Sequence, residues 1–338
     1  MRLTESRIAT LMVVVIVTAT PPAHAQNHVE NVEAHKTLAR LSVDHIDFIL
    51  NSVAQSTQAV AAELVSAHRA VATRTADQPP PQAPAHLASG QTVLFQTWPG
   101  ALQPAPEFQA DHAGFYSYRG QTVDDETLFQ LQVFQALTPA VRSAYSSFPF
   151  SWSYVTTADG MMLIYPFLTL EEAVNNEFPT DQTYYTHADF QHRSTGWTPP
   201  YLDLVGAGMM VTASTPAFEG DTLLGVCSHD ITLAQISESV LKLLTRDVGG
   251  TAWLVDASGL VIGVSDADLE AELERVNKGA GKAVLHYRLS PTAGLAGARS
   301  GQHASVEISV GQSGDGEGHQ PIASSLRRQG HPFFETGG

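Results

Sequence analysis

The chain has 338 residues, 43% of them hydrophobic and 15% charged, which is enough apolar material for one large or two ordinary domains and too much for a disordered chain. With 34 acidic against 18 basic residues the formal charge is −16, which disfavours phosphate backbones and anionic lipid surfaces as partners and leaves no nucleic-acid role. A single cysteine, Cys227, excludes an internal disulfide and any cysteine-based metal cluster, and reads as a small buried apolar residue.

Residues 1–25 have the pattern of a signal peptide. Arg2 and Arg7 precede an apolar run from Ile8 to Thr20, then Pro21-Pro22 and the small-residue site Ala23-His24-Ala25, with Gln26 as the expected first residue after cleavage. The run is short for a bilayer span, although an uncleaved anchor is the alternative. No other run of eighteen apolar residues occurs, so the expected location is periplasmic or secreted.

From Asn27 to Arg74 there is no proline or glycine. Leu38, Leu41, His45, Ile49, Val53, Val60, Leu64 and Val71 recur at spacings that keep one helix face, which predicts an amphipathic helix of up to about 45 residues over 26–77. A helix of that length either projects as a stalk or runs along the whole body, and an uncovered apolar stripe on it would make a homodimer contact. Prolines between Gln78 and Ala85 end it and predict a linker over 78–90.

Over 91–247 short apolar runs rich in aromatic and β-branched residues alternate with turns, which predicts strands around 93–95, 114–118, 151–155, 161–165, 208–213 and 223–227. Ala158-Asp159-Gly160 reads as a hairpin turn. One helix, Asp124 to about Tyr145, has Thr122 or Asp124 available as its N-cap. A second unit over 248–310 starts with strand–turn–strand, 252–256 and 260–264 about Ala257-Ser258-Gly259, followed by a helix over 267–276. The Gly- and Ser-rich residues 311–338 read as a flexible tail. The fold class is α+β, with mainly antiparallel sheets.

Nucleophile elbow, zinc-protease, P-loop and dinucleotide signatures are all missing, so the chain is read as non-enzymatic, with no catalytic residue, metal or cofactor. His187, Asp189 and His192 read as loop polar residues, because an i,i+5 histidine spacing does not share a helix face. The densest polar and aromatic set runs from Tyr184-Tyr185 through Trp197, Tyr201 and Asp203 to Asp230. Aromatic faces bracketing carboxylates suit a small cation. The same residues also fit a core in which Tyr201 and Trp197 pack while the aspartates cap turns.

Four stretches in this order resemble a double Cache domain, the extracytoplasmic sensor module of bacterial chemoreceptors and sensor kinases. They are Phe150-Ser-Trp152-Ser-Tyr154 through Asp159-Gly160 to Phe167; Trp197-Thr-Pro-Pro-Tyr201-Leu-Asp203 with Met210 to Phe218; Leu224 to Leu233; and Gly249 to Ile262. The resemblance implies a long helix followed by two PAS-like subdomains, the second short or incomplete. It also implies a ligand site drawn from Trp152, Tyr154, Tyr184, Tyr185, Trp197, Tyr201, Asp203 and Asp230. Amino-acid-sensing members hold the ammonium with a tyrosine and aspartates, which Tyr201, Asp203 and Asp230 match. They hold the carboxylate with Arg-x-Trp-Tyr, where this chain reads Gln182-Thr183-Tyr184-Tyr185. Gln182 lacks the charged fork a carboxylate prefers, leaving Arg193 as the possible substitute.

The expected function is therefore a sensing module for an amine-bearing or amino-acid-like small molecule, read by a separate membrane signalling partner. The alternative is a non-catalytic interaction protein with a degenerate pocket that dimerises through the long helix.

Overall fold

The computed structural model describes residues 14–18, 28–75, 82–97, 102–174, 178–203, 205, 208–236, 238, 241–242, 251–255, 261–268, 271, 285–289, 306–310 and 333–334. In chain order the elements are β1 (Val14–Thr18), α1 (His28–Thr75), β2 (His86–Ser89), β3 (Thr92–Phe95), β4 (Gly114–Ser117), α2 (Asp125–Ser147), β5 (Trp152–Thr157), β6 (Met161–Tyr165), α3 (Leu170–Ala173), α4 (Thr183–Thr186), β7 (Gly196–Trp197), β8 (Tyr201–Leu202), β9 (Met209–Glu219), β10 (Thr222–Thr232), α5 (Leu233–Ile236), β11 (Thr251–Val255), β12 (Val261–Val264), β13 (Leu285–Leu289), β14 (Val306–Val310) and β15 (Phe333–Phe334). The fold is α+β. The chain divides into two compact units, one of Asn51–Pro199 with Val211–Ile231, the other of Met1–Leu50, Pro200–Met210 and Thr232–Gly338.

The first unit is built on an antiparallel sheet in the order β2-β3-β4-β6-β5-β10-β9-β7. On one face Val155, Leu163, Phe115, Phe95 and Cys227 meet Val60, Leu64 and Val71 of α1 and Leu131, Phe134 and Leu137 of α2. Each fully buried side chain of this size contributes about 1.5–3 kcal/mol, so this face is the principal source of stability for the unit. Asp124 caps α2 by accepting from Thr127 N at 2.8 Å, as the N-cap pattern predicts. The β5–β6 turn is at Asp159-Gly160, where Gly160 has φ +88.

The helix α1 has 48 residues, close to the predicted length, or about 70 Å. Its buried stripe differs from the predicted one: Ile46, Leu50, Val53, Thr57, Val60, Ala61, Leu64, Ala67 and Val71 are buried, whereas Leu41 is 59% exposed and His45 is exposed. The 3–4 spacing runs through Thr57, a polar residue that is fully buried. Counting back from Val53 then selects Leu50 and Ile46 instead of Ile49, His45 and Leu41. The predicted linker is also corrected, since His86–Ser89 pairs with Thr92–Phe95 through a two-residue turn at Gly90, φ +60. Both long strands exceed expectation at 11 residues each, because their polar residues are buried and paired.

In the second unit β11 and β12 pair antiparallel, as the strand–turn–strand pattern predicts. The turn itself, most of the helix expected at 267–276, Pro79 to Pro81 and all of the expected tail except Phe333–Phe334 lie outside the described residues. Two features were not anticipated. Val14–Thr18, inside the segment read as a signal peptide, pairs with Thr251–Val255, as a run of β-branched residues can. In addition β13 pairs with β14, and Phe333–Phe334 in the expected tail pairs with Thr18 and Val17.

Candidate functional site

Successive strand residues point to opposite faces, so the face opposite α1 and α2 carries Trp152, Tyr154 and Thr156 of β5, Ser228 and Asp230 of β10, and Thr212 and Ser214 of β9. Asp230 is 4% exposed. Its Oδ1 accepts from the Tyr154 hydroxyl at 2.9 Å and from Thr212 Oγ1 at 2.6 Å. These three residues come from three adjacent strands, so the carboxylate is held by the sheet itself. Ser214 and Ser228 are hydrogen-bonded at 2.9 Å beside them, and Ser214 also donates to the Tyr184 carbonyl at 2.6 Å.

That last bond seats α4 over the face. The Tyr184 ring meets the Tyr154 ring edge-on, centroids 5.2 Å apart, and its hydroxyl points to Met162. Tyr185 packs with Ala188 on Val226, and burial raises its phenol pKa. Trp152 stands directly opposite Asp230 on β5. Its indole nitrogen is buried with no hydrogen-bond partner among the described residues.

Of the sequence-predicted residues, the fold thus brings Trp152, Tyr154, Tyr184, Tyr185 and Asp230 to one face. Trp197 is a correction: it pairs with Ala213, between Thr212 and Ser214, and so lies on the other face of β9. Tyr201 and Asp203 belong to the second unit, where Tyr201 pairs with Met210 and Asp203 N donates to Gly208 O.

Arg193 is also corrected as a carboxylate clamp. Its guanidinium donates to Gly220 O at 2.7 Å and Asp221 Oδ1 at 2.8 Å and lies over the Phe218 ring. That is the β9–β10 turn, nine residues along β10 from Asp230, or about 30 Å at strand rise. Gln182 precedes α4, and its carbonyl accepts from Tyr185 N and Thr186 N. His192 pairs with Asp189 on the surface, and no metal-holding group of histidine, cysteine, aspartate or glutamate occurs among the described residues.

Sequence reasoning missed Thr212, Ser214 and Ser228 as members of this face. Their signal is the period of two: Thr212 with Ser214 on β9 and Ser228 with Asp230 on β10 put polar residues at alternate positions of one face.

Residues 125–238, which contain this face, match the family model described as methyl-accepting chemotaxis protein-like, first PDC sensor domain. That match covers 114 of the chain's 338 residues. The chain is 35% identical over 107 residues to the methyl-accepting chemotaxis protein McpC of Bacillus subtilis, a match covering 32% of this chain and 16% of McpC. The chain thus spans about a sixth of that relative's length. Among solved structures it is similar to the ligand-binding domain of the Pseudomonas fluorescens chemoreceptor CtaA in complex with L-valine, at 20% identity over 54% of this chain and 80% of that one, TM-score 0.34. It is also similar to that of the Campylobacter jejuni chemoreceptor Tlp3, at 13% identity over 72% and 73%, TM-score 0.41. The sensor domains of chemoreceptors, to which residues 125–238 are similar, are extracytoplasmic and non-catalytic. No helix among the described residues is long and apolar enough to cross a membrane.

Proposed function

We propose that this Cache-type chain is an exported sensing module whose Asp230 face takes a small amine lacking an α-carboxylate. The carrying observation is the carboxylate of Asp230, buried yet fixed by Tyr154 and Thr212 and edged by the aromatic ring of Tyr184 through Tyr154. A fixed carboxylate beside π faces suits an ammonium group. The cations of the same unit support the absence of a carboxylate on the ligand. It contains no lysine and five arginines. Arg69 is on Glu219, Arg74 on the Ala70 carbonyl, Arg119 on Asp159, Arg142 over Tyr165 and Arg193 on Asp221. Trp152 and Tyr185 join the proposal as walls of the same face. Export by cleavage after Ala25, which removes β1 and leaves the β11–β12 pair, and a separate membrane partner complete the reading; amino-terminal sequencing of the exported protein should then find Gln26.

Calorimetric titration of the parent and Asp230→Asn proteins with a panel of amines and amino acids tests the site. Losing a hydrogen-bonded ion contact costs about 2–5 kcal/mol, a drop in affinity of roughly 30-fold or more. Amines should bind the parent more tightly than zwitterionic amino acids. Equal affinities of the two proteins for every ligand would sink the reading.

One observation favours a second reading, an interaction protein that dimerises through α1. Leu41 and Phe48, 59% and 67% exposed, lie one heptad apart on that helix. Sedimentation as a monomer at about 100 μM would remove it.

A further inference from the structure

The strand that supplies Asp230 is held differently on its two sides. Asp230 faces Tyr154 and Thr212; the preceding residue, His229, faces the other way and is 1% exposed. Its Nδ1 is hydrogen-bonded to Ser153 Oγ of β5 at 2.8 Å and its Nε2 to Ser56 Oγ of α1 at 3.0 Å, with the ring stacked on Phe150 at 4.4 Å. The next residue of α1, Thr57, is fully buried and bonded to Thr215 of β9 at 2.7 Å. Thr215 in turn is bonded to Thr195 at 2.8 Å.

Two successive residues of α1 are thus bonded to β10 and β9, the two strands that supply Asp230 and Thr212. The residues of α1 on either side of this pair, Val53, Val60 and Leu64, are apolar, and they would seat the helix without any polar group. Buried hydroxyls and an imidazole are costly unless paired, and when paired they impose one registration of helix on sheet. A neutral imidazole has one donor and one acceptor nitrogen, so one serine must donate to His229 and the other accept from it. Changing the hydrogen-bonding role of Ser153 therefore changes that of Ser56.

We propose that His229 is a positioning residue that couples the Asp230 face to α1. Through Ser153 and Ser56 the setting of β10, and with it the Asp230 carboxylate, depends on how α1 is seated. By reciprocity the seating of α1 depends on the state of Asp230. The long helix is then the element that reports the state of the site. This inference goes beyond the amine reading and holds whatever ligand the face takes.

The test uses no ligand, so its failure is separable from failure of the amine reading. Urea unfolding of the full chain is measured for Ser56→Ala, Asp230→Asn and the pair, in the parent and in a His229→Phe background that keeps the stack on Phe150. Residues without a shared partner are ordinarily additive. With His229 present, the double variant's unfolding constant should depart from the product of the single effects by about threefold or more. With phenylalanine in its place the effects should multiply. Simple multiplication in the parent, or non-additivity that survives His229→Phe, overturns the proposal. Hydrogen exchange reads the same coupling should His229→Phe not fold. In Asp230→Asn, amides of residues 53–60 should exchange several-fold faster relative to those of 64–71; an unchanged ratio counts against the coupling.

Discussion

The Tyr154 hydroxyl donates to Asp230 Oδ1 at 2.9 Å across the β5–β10 pairing, two positions out of register, since Tyr154 stands opposite Ser228 and Asp230 opposite Trp152. The bond is therefore diagonal. It leaves the position directly across from the carboxylate to the Trp152 indole, while Thr212 supplies the second donor from β9.

Tyr154→Phe keeps the ring against Tyr184 and removes one of the side-chain donors described for a buried carboxylate. Hydrogen bonds to charged groups contribute about 1.5–3 kcal/mol, so the variant should lose stability of that order in urea. Thr212→Val, which removes the donor on β9, should cost a similar amount. A neutral result for both would mean that Asp230 does not rely on them.

His229 makes acid sensitivity predictable. Burial pushes its pKa down from 6.5 to about 4, so the folded protein holds it neutral while the unfolded chain takes up a proton below about pH 6.5. The unfolded state then binds more protons than the folded one. Stability should fall as pH drops from about 6.5 to 4, by up to roughly 3 kcal/mol from this residue. Urea midpoints at pH 7, 5.5 and 4.5 should fall more steeply for the parent than for His229→Gln. Parallel profiles would show that the imidazole contributes nothing.

Gly160 closes the β5–β6 turn with φ +88, and a methyl group there would lie 2.2 Å from the Phe178 ring. Phe178 is 37% exposed and can swing aside, so the backbone decides the outcome. Gly160→Ala should cost about 1–2 kcal/mol, the penalty of the left-handed region for a residue with a Cβ. Loss of much more than this would indicate that Phe178 is held in place.

Arg193→Ala should leave ligand preference unchanged, because its partners Gly220 and Asp221 are at the far turn. Both side chains of the ion pair are largely exposed, 49% and 101%, so the stability change should stay within about 1 kcal/mol. A preference for carboxylate-bearing ligands that vanished with this substitution would restore Arg193 as the clamp.

Local signals made much of this chain legible without coordinates. The absence of proline and glycine from Asn27 to Arg74 determined α1 to within a few residues, Asp124 marked the start of α2, and Asp159-Gly160 marked a hairpin. Each depends on residues near one another in the chain, where propensity and capping act directly. The resemblance named Tyr154, Tyr184 and Asp230 together, and the fold brings them to one face of the sheet. Strand pairing decided the rest. A shift of one residue moves a side chain to the other face. Only the register therefore shows that Trp197 goes with Ala213 while Thr212 and Ser214 go with Asp230. The partner of Arg193 and the joint at His229 span 27 to 173 residues of sequence, and only the folded chain brings such distant groups within hydrogen-bond reach.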